Sequence, residues 1–156
     1  MEAATTHDRI EKKVLLPAPR TRVWRALTNV KEFEKWFAGV KLSAPFAAGQ
    51  TVHGTLTMKG YEGRTFEMAV ERVDPERLFS FRWHPGAIDR DVNYSLEAMT
   101  LIQFVLRERA DGTVVTLTES GFDQIPLARR AKAFRDNDEG WTEQLANLER
   151  YIFQVG

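Results

Sequence analysis

An apolar stripe of helical spacing runs through the C-terminal end of the chain, from about Gln124 to Val155. Its steps alternate between four and three residues, which is the spacing of one helix face. Its only polar member is Asp138, where either the helix borders a cavity or an irregular turn beside Gly140 rotates the side chain outward. A helix of about 45 Å needs a broad element to pack against in a small domain. The stripe consists of Leu127, Ala131, Phe134, Asp138, Trp141, Leu145, Leu148, Ile152 and Val155.

Upstream of this stripe, apolar and polar residues alternate with a period of two, which is typical of half-buried strands. The run Arg9–Leu16 predicts a first strand, which ends at Pro17-Ala18-Pro19 because proline interrupts a strand ladder. Two short helices with apolar faces follow, over residues 20–27 and 30–37. Further strands are predicted over residues 51–58, 65–73, 78–83, 99–107 and 113–120, the last two joined by a tight turn at Asp111-Gly112.

This order of elements predicts an α+β fold, because a run of strands stands beside segregated helices. We expect a curved antiparallel sheet of six to seven strands wrapped on the one long C-terminal helix, with two short helices after the first strand. The sheet is then the broad partner that the long stripe requires. We expect one domain over residues 8–156, preceded by a disordered tail over residues 1–7.

Composition excludes several classes of function. The chain has 156 residues, and its 22 basic residues balance 22 acidic ones, so no overall charge recruits nucleic acid and we expect none as a partner. It has no cysteine, which excludes disulfides and cysteine nucleophiles. No run approaches the roughly 18 apolar residues that span a bilayer. We therefore expect a cytoplasmic protein without membrane insertion, and self-association as a homodimer is a further expectation.

The sequence carries no recognisable catalytic or metal-binding motif. His7, His53 and His84 have no metal-ligand spacing, so we expect no metal site. No GxSxG, phosphate-loop or GxGxxG motif occurs, so we expect no catalytic triad and no cofactor.

Glu119 is the carboxylate that the strand pattern singles out. It shares the parity of Val115 and Leu117, so its side chain should point toward the core side of the sheet. In that position it would bind a polar group of a ligand, or act as a general base if burial raised its pKa. The alternatives are pairing with an arginine such as Arg82, or exposure to solvent at the rim.

Three motifs occur in the order of the predicted elements. The first is Pro17-Ala18-Pro19 with Val23-Trp24-Arg25-Ala26-Leu27-Thr28 and Trp36-Phe37. The second is Gly112-Thr113 with Thr118-Glu119-Ser120-Gly121-Phe122, and the third is Asn137, Gly140-Trp141, Leu145, Leu148 and Tyr151. Together they resemble the START-like, or helix-grip, superfamily, and within it the branch similar to activators of the ninety-kilodalton heat-shock-protein ATPase.

The resemblance implies a cavity between the sheet and the long helix that binds a hydrophobic or amphipathic small molecule. We expect binding rather than catalysis, and the alternatives are an enzyme similar to polyketide cyclases or a chaperone-partner module. The irregular segment 84–98 is either a lid over this cavity or an ordinary loop. The aromatic residues are either ligand contacts or plain core. The candidate ligand-binding residues are Trp36, Phe37, Phe66, Met68, Phe81, Trp83, Phe104, Glu119, Phe134, Asp138 and Trp141.

Overall fold

The computed structural model describes residues 8–86 and 92–155, and the expected tail over residues 1–7 lies outside them. The α+β helix-grip prediction is confirmed. The strands are β1 (Arg9–Leu16), β2 (Val40–Leu42), β3 (Thr51–Leu56), β4 (Thr65–Asp74), β5 (Leu78–Trp83), β6 (Thr100–Arg109) and β7 (Gly112–Ser120). The helices are α1 (Arg20–Thr28), α2 (Val30–Trp36) and α3 (Leu127–Val155), with single 3₁₀ turns at Tyr94–Leu96 and Phe122–Gln124.

All seven strands belong to one antiparallel sheet with the order β1-β7-β6-β5-β4-β3-β2. The first strand therefore pairs with the last. β7, the last strand before α3 in the chain, lies between β1 and β6 in the sheet. A register shift between Val70 and Arg72 interrupts the β4–β5 ladder. Such a bulge bends a strand and increases its twist, which helps the sheet to curve around α3. No helix in the described ranges is long and apolar enough to cross a membrane.

The inward side of the sheet forms an aromatic core. Phe79 and Phe81 of β5 and Phe104 of β6 are fully buried, and their rings lie 5.6 to 6.5 Å apart, centroid to centroid. Trp36 of α2 packs edge-on against Phe104 and donates its indole N–H to the carbonyl of Ala26 at 2.8 Å. This hydrogen bond pairs the indole nitrogen of Trp36 in the core, where an unsatisfied donor would be costly.

The apolar stripe of α3 matches the buried face from Trp141 to Ile152 and misses it at Leu127 and Ala131. Its members Trp141, Leu145, Leu148 and Ile152 are buried, whereas Leu127 is 78% exposed and Ala131 is also exposed. Before Trp141, Ala133 is buried, and Asn137 is half-buried together with the stripe members Phe134 and Asp138. A strict seven-residue repeat drifts by about 20° per heptad against the true helical period, so extrapolation over two heptads misplaces the face.

The Gly112-Thr113 motif has a packing explanation. Gly112 has φ +144°, and a β-carbon there would lie 2.1 Å from the carbonyl oxygen of Leu16. The buried hydroxyl of Thr113 donates to the carbonyl of Ala18 at 2.8 Å. The start of β7 thus lies directly against the end of β1 and the Pro17-Ala18-Pro19 segment.

We predict that Gly112→Ala destabilises the fold by about 2 kcal/mol or more beyond a matched Gly49→Ala variant. Both glycines have positive φ, which costs alanine about 1–2 kcal/mol, but Gly49 has open space where the methyl group would stand. At Gly112 the methyl group meets the backbone, and overpacking adds about 1–3 kcal/mol. Urea unfolding of both variants measures the difference, and equal losses of unfolding free energy would contradict this explanation.

Candidate functional site

The centre of the candidate site is the carboxylate of Glu119, whose side chain is 0% exposed. Its place follows from strand parity, since Val115 and Leu117 are equally buried on the same face of β7. Its cross-strand neighbours are Ile10 on β1 and Ile102 on β6. An ionisable group is therefore enclosed among aliphatic side chains.

Four neutral side chains donate hydrogen bonds to this carboxylate. The indole N–H groups of Trp83 and Trp141 bind Oε2 at 2.9 Å and Oε1 at 2.8 Å. The hydroxyl of Thr100 lies 2.5 Å from Oε2, and Nδ2 of Asn137 lies 3.0 Å from both oxygens. We call these five residues the Glu119 cluster, which joins β5, β6 and β7 to α3.

The cluster contains no cation. The suggested pairing with Arg82 does not form, because Nε of Arg82 instead donates to Glu71 at 2.5 Å, and both side chains are about 40% exposed. The suggestion that Glu119 lies in solvent is also wrong, since the residue is fully buried. Strand parity placed Glu119 correctly, and its partners turned out to be neutral donors.

Burial raises the pKa of Glu119 above its ordinary value of 4.5, and the four hydrogen bonds offset that rise only in part. Indole and amide N–H groups only donate, so they fit the ionised carboxylate. The hydroxyl of Thr100 either donates or accepts, and it can therefore accept a hydrogen bond from the protonated acid. Thr100 is the partner that lets the cluster hold both protonation states.

A cleft of about 220 Å³ lies beside the cluster, between α3 and the β2–β5 end of the sheet. Trp83 and Asn137 belong to both the cluster and the cleft wall, whereas Glu119 does not line the cleft. The polar lining residues are His84, Asn137 and Gln144. The apolar wall consists mainly of Phe37, Val40, Leu56, Met58, Phe66 and Trp83.

Aromatic stacking connects the cleft wall to the cluster. The rings of Trp83 and Trp141 stack with centroids 5.7 Å apart and planes 23° apart. Phe37 covers both edge-on, at 6.1 Å and 5.7 Å. Phe37, which lines the cleft, therefore also packs against the two indoles that bind Glu119.

Phe66 lines the cleft because its cross-strand partner is a glycine. Gly54 on β3 faces Phe66 on β4, and a β-carbon on Gly54 would lie 2.2 Å from the ring. The ring therefore lies across the glycine. A side chain at position 54 would push it away and change the shape of the cleft.

The family model for Activator of Hsp90 ATPase homolog 1-like protein (AHSA1) matches residues 17–152 of the chain. The chain belongs to the AHSA1 family. The match spans the motifs of α1, β7 and α3, including every residue of the Glu119 cluster. No curated protein sequence matches the chain significantly.

Solved structures share the AHSA1 fold over nearly the whole chain. Protein MLL2253 from Mesorhizobium loti is 21% identical, with a TM-score of 0.75 over 95% of this chain and 98% of that one. DynU16, encoded in the dynemicin biosynthetic locus, is 26% identical, with a TM-score of 0.70 over 93% of this chain and 47% of its own. The Aha1 dimer from Colwellia psychrerythraea is 17% identical, with a TM-score of 0.69 over 92% and 95%.

The candidate ligand-binding residues predicted from the sequence fall into four groups in the structure. Glu119, Trp83 and Trp141 meet in the cluster, and Phe37, Phe66 and Trp83 line the cleft. Phe134 packs against Phe122 at 5.1 Å, and the carboxylate of Asp138 pairs with Lys12 at 3.0 Å. The residues buried in the core away from the cleft are Trp36, Met68, Phe81 and Phe104. Ligand contact by any of these residues stays a prediction.

Sequence reasoning missed Asn137 and Thr100 as members of the site. Asn137 precedes Trp141 by four residues, which places both on one side of α3, and this spacing was the available signal. Thr100 is the cross-strand partner of Trp83, a register that only the folded sheet reveals.

Arg129 of α3 binds residues on both described parts of the irregular segment 84–98. Its guanidinium donates to Glu97 at 2.6 and 2.9 Å and to the carbonyl of Pro85 at 2.8 Å, and it lies over the ring of Tyr94. Residues 87–91 of this segment, for which a lid and an ordinary loop were both open, lie outside the described residues. Within the described part of the chain, no three histidine or acidic side chains gather as a metal site.

We predict that Trp141→Phe lowers the free energy of unfolding by about 1–3 kcal/mol more than Trp24→Phe. The first change removes one hydrogen-bond donor from the buried carboxylate of Glu119. Leaving a buried polar group without one of its partners costs about 1–3 kcal/mol of unfolding free energy. Trp24 is the matched control, because it is only partly buried and its indole nitrogen has no hydrogen-bond partner in the described chain. Chemical denaturation measures both values. Equal losses would mean that the Trp141 hydrogen bond contributes nothing to stability.

Proposed function

We propose that this chain binds a small apolar or amphipathic molecule in the cleft between the sheet and α3. The observation that carries this proposal is the composition of the cleft, whose apolar and aromatic wall is broken by a few polar groups from separate elements. Small-molecule sites combine these two features, because apolar contact supplies affinity and a few polar groups fix orientation. Burial of ligand surface would contribute roughly 25 cal/mol per Å².

The volume of the cleft limits the ligand. About 220 Å³ is smaller than the roughly 300–1,000 Å³ of pockets that hold drug-sized molecules. A compound of one or two rings suits this space. The origin of DynU16 in the dynemicin biosynthetic locus supports a small organic molecule as the ligand.

A second candidate is an enzyme similar to polyketide cyclases. The raised pKa of Glu119 beside the cleft favours it, since a general acid or base needs such a shift. Against it, Glu119 is fully buried behind Trp83 and Asn137 and does not line the cleft. Proton transfer to a ligand would require the cluster to open, so we place binding first.

The chaperone-partner alternative rests on membership of the AHSA1 family and not on the geometry of the cleft. Homodimerisation stays a prediction, which the dimeric form of Colwellia Aha1 supports.

We predict that neutral bicyclic aromatics such as indole, naphthalene and coumarin bind in the cleft and that Leu56→Phe weakens them at least about tenfold. Leu56 lines the cleft, so a larger side chain fills the space that the ligand needs. Titrations followed by NMR of the methionine methyl groups measure binding. The signal of Met58, which lines the cleft, should move more than that of the fully buried Met68.

Leu15→Phe is the matched control, because Leu15 is 38% exposed on β1 and does not line the cleft. The affinities of the Leu15→Phe variant for these bicyclic aromatics should stay within about twofold of those of the wild-type protein. Absence of any methyl shift at millimolar ligand, or equal losses in the two variants, would overturn the proposal.

A further inference from the structure

The amide of Asn137 has a fixed orientation. Its Nδ2 lies 3.0 Å from both oxygens of Glu119, which act as acceptors, so the nitrogen must face the cluster and Oδ1 must face the other way. Asn137 also lines the cleft. Its Oδ1 has no hydrogen-bond partner in the described part of the chain. Oδ1 is therefore the atom of this amide that is left to accept a hydrogen bond from a ligand in the cleft.

The other polar lining groups are already engaged. Gln144 accepts from the amide of Ala38 at 3.0 Å and donates to its carbonyl at 3.3 Å. Nε2 of His84 lies 3.1 Å from the carbonyl of Glu97, and because a carbonyl only accepts, Nε2 carries the hydrogen. With the hydrogen on Nε2, Nδ1 is the acceptor nitrogen of a neutral imidazole. Among these three residues, Asn137 and the neutral form of His84 offer the cleft an acceptor, and Gln144 keeps one N–H hydrogen beyond the one that it donates to Ala38.

The cleft also lacks a cation among the described residues that line it. The guanidinium of Arg129 lies near Gly86 but is already bound to Glu97 and Pro85. A carboxylate or sulfonate on a ligand would lose its hydration without gaining a counter-charge. Anionic ligands are therefore disfavoured.

We infer that the cleft selects a neutral one- or two-ring compound carrying a hydroxyl or N–H donor, which binds Oδ1 of Asn137. This inference rests on the proposed function and adds the chemical class of the ligand. Asn137 is then the specificity-determining residue, and Glu119 acts through it by holding the amide with its oxygen toward the ligand.

Three naphthalenes of similar size test this inference. 2-Naphthol carries a donor, 2-methoxynaphthalene retains the oxygen without a donor, and 2-naphthoate carries a negative charge. We expect wild-type protein at pH 8 to bind 2-naphthol about five- to tenfold more tightly than 2-methoxynaphthalene, the range of one net hydrogen bond. 2-Naphthoate should bind at least about tenfold more weakly than 2-naphthol. The methyl signal of Met58 reports occupancy of the cleft.

Asn137→Ala should reduce the preference for 2-naphthol over 2-methoxynaphthalene to about twofold or less, whatever its effect on the affinity for both compounds. Gln154→Ala is the control on α3, because Gln154 is exposed and does not line the cleft, and it should retain the full preference. If Asn137→Ala does not fold, the wild-type series still decides, since the preference is a property of the native cleft.

The outcomes separate this inference from the function on which it rests. Equal binding of the three compounds, or tighter binding of 2-naphthoate, would overturn the inference and leave small-molecule binding intact. Failure of all three to move the Met58 signal would instead contradict the proposed function. A preference for 2-naphthol that persists in Asn137→Ala would also overturn the assignment to Asn137.

Discussion

The structure depends on the burial of one carboxylate without a counter-charge. Removing an ion from water costs several kcal/mol, and Glu119 offsets this cost with hydrogen bonds from Trp83, Thr100, Asn137 and Trp141 alone. Hydrogen bonds to a charged group contribute roughly 1.5–3 kcal/mol each. Since these donors come from two neighbouring strands and from α3, the cluster fixes the position of the helix on the sheet more narrowly than apolar contacts do.

The same constraint shapes the cleft. Trp83 and Asn137 each direct a donor toward Glu119, so the remaining surface of each side chain forms cleft wall. Phe37 packs over both indoles of the cluster and lines the cleft from the side of α2. Structural and ligand-facing roles therefore belong to the same side chains. A change that disturbs the Glu119 hydrogen bonds also changes what the cleft offers to a ligand.

Much of this arrangement could be predicted from the sequence, because a period of two is a local property of a strand. It placed Glu119 beside Val115 and Leu117 on the inner face, and the motifs indicated the fold. The partners of Glu119 could not be predicted, since they depend on the register between strands and on the rotation of α3. The stripe passes through Asp138, whereas the neighbouring Asn137 is the residue that binds Glu119.

The most direct test of the central claim is a pH titration of the Glu119 side-chain carboxyl by ¹³C NMR, with the indole N–H signals of Trp83 and Trp141 followed in parallel. We predict a pKa above the ordinary 4.5, with both indole signals moving at the same midpoint and that of Trp24 unchanged. Because folding raises this pKa, the contribution of Glu119 to stability is full below the ordinary value and is lost as the pH rises through the raised one. A Glu119 pKa at or below 4.5, or indole N–H signals of Trp83 and Trp141 that do not shift during the titration, would contradict the account.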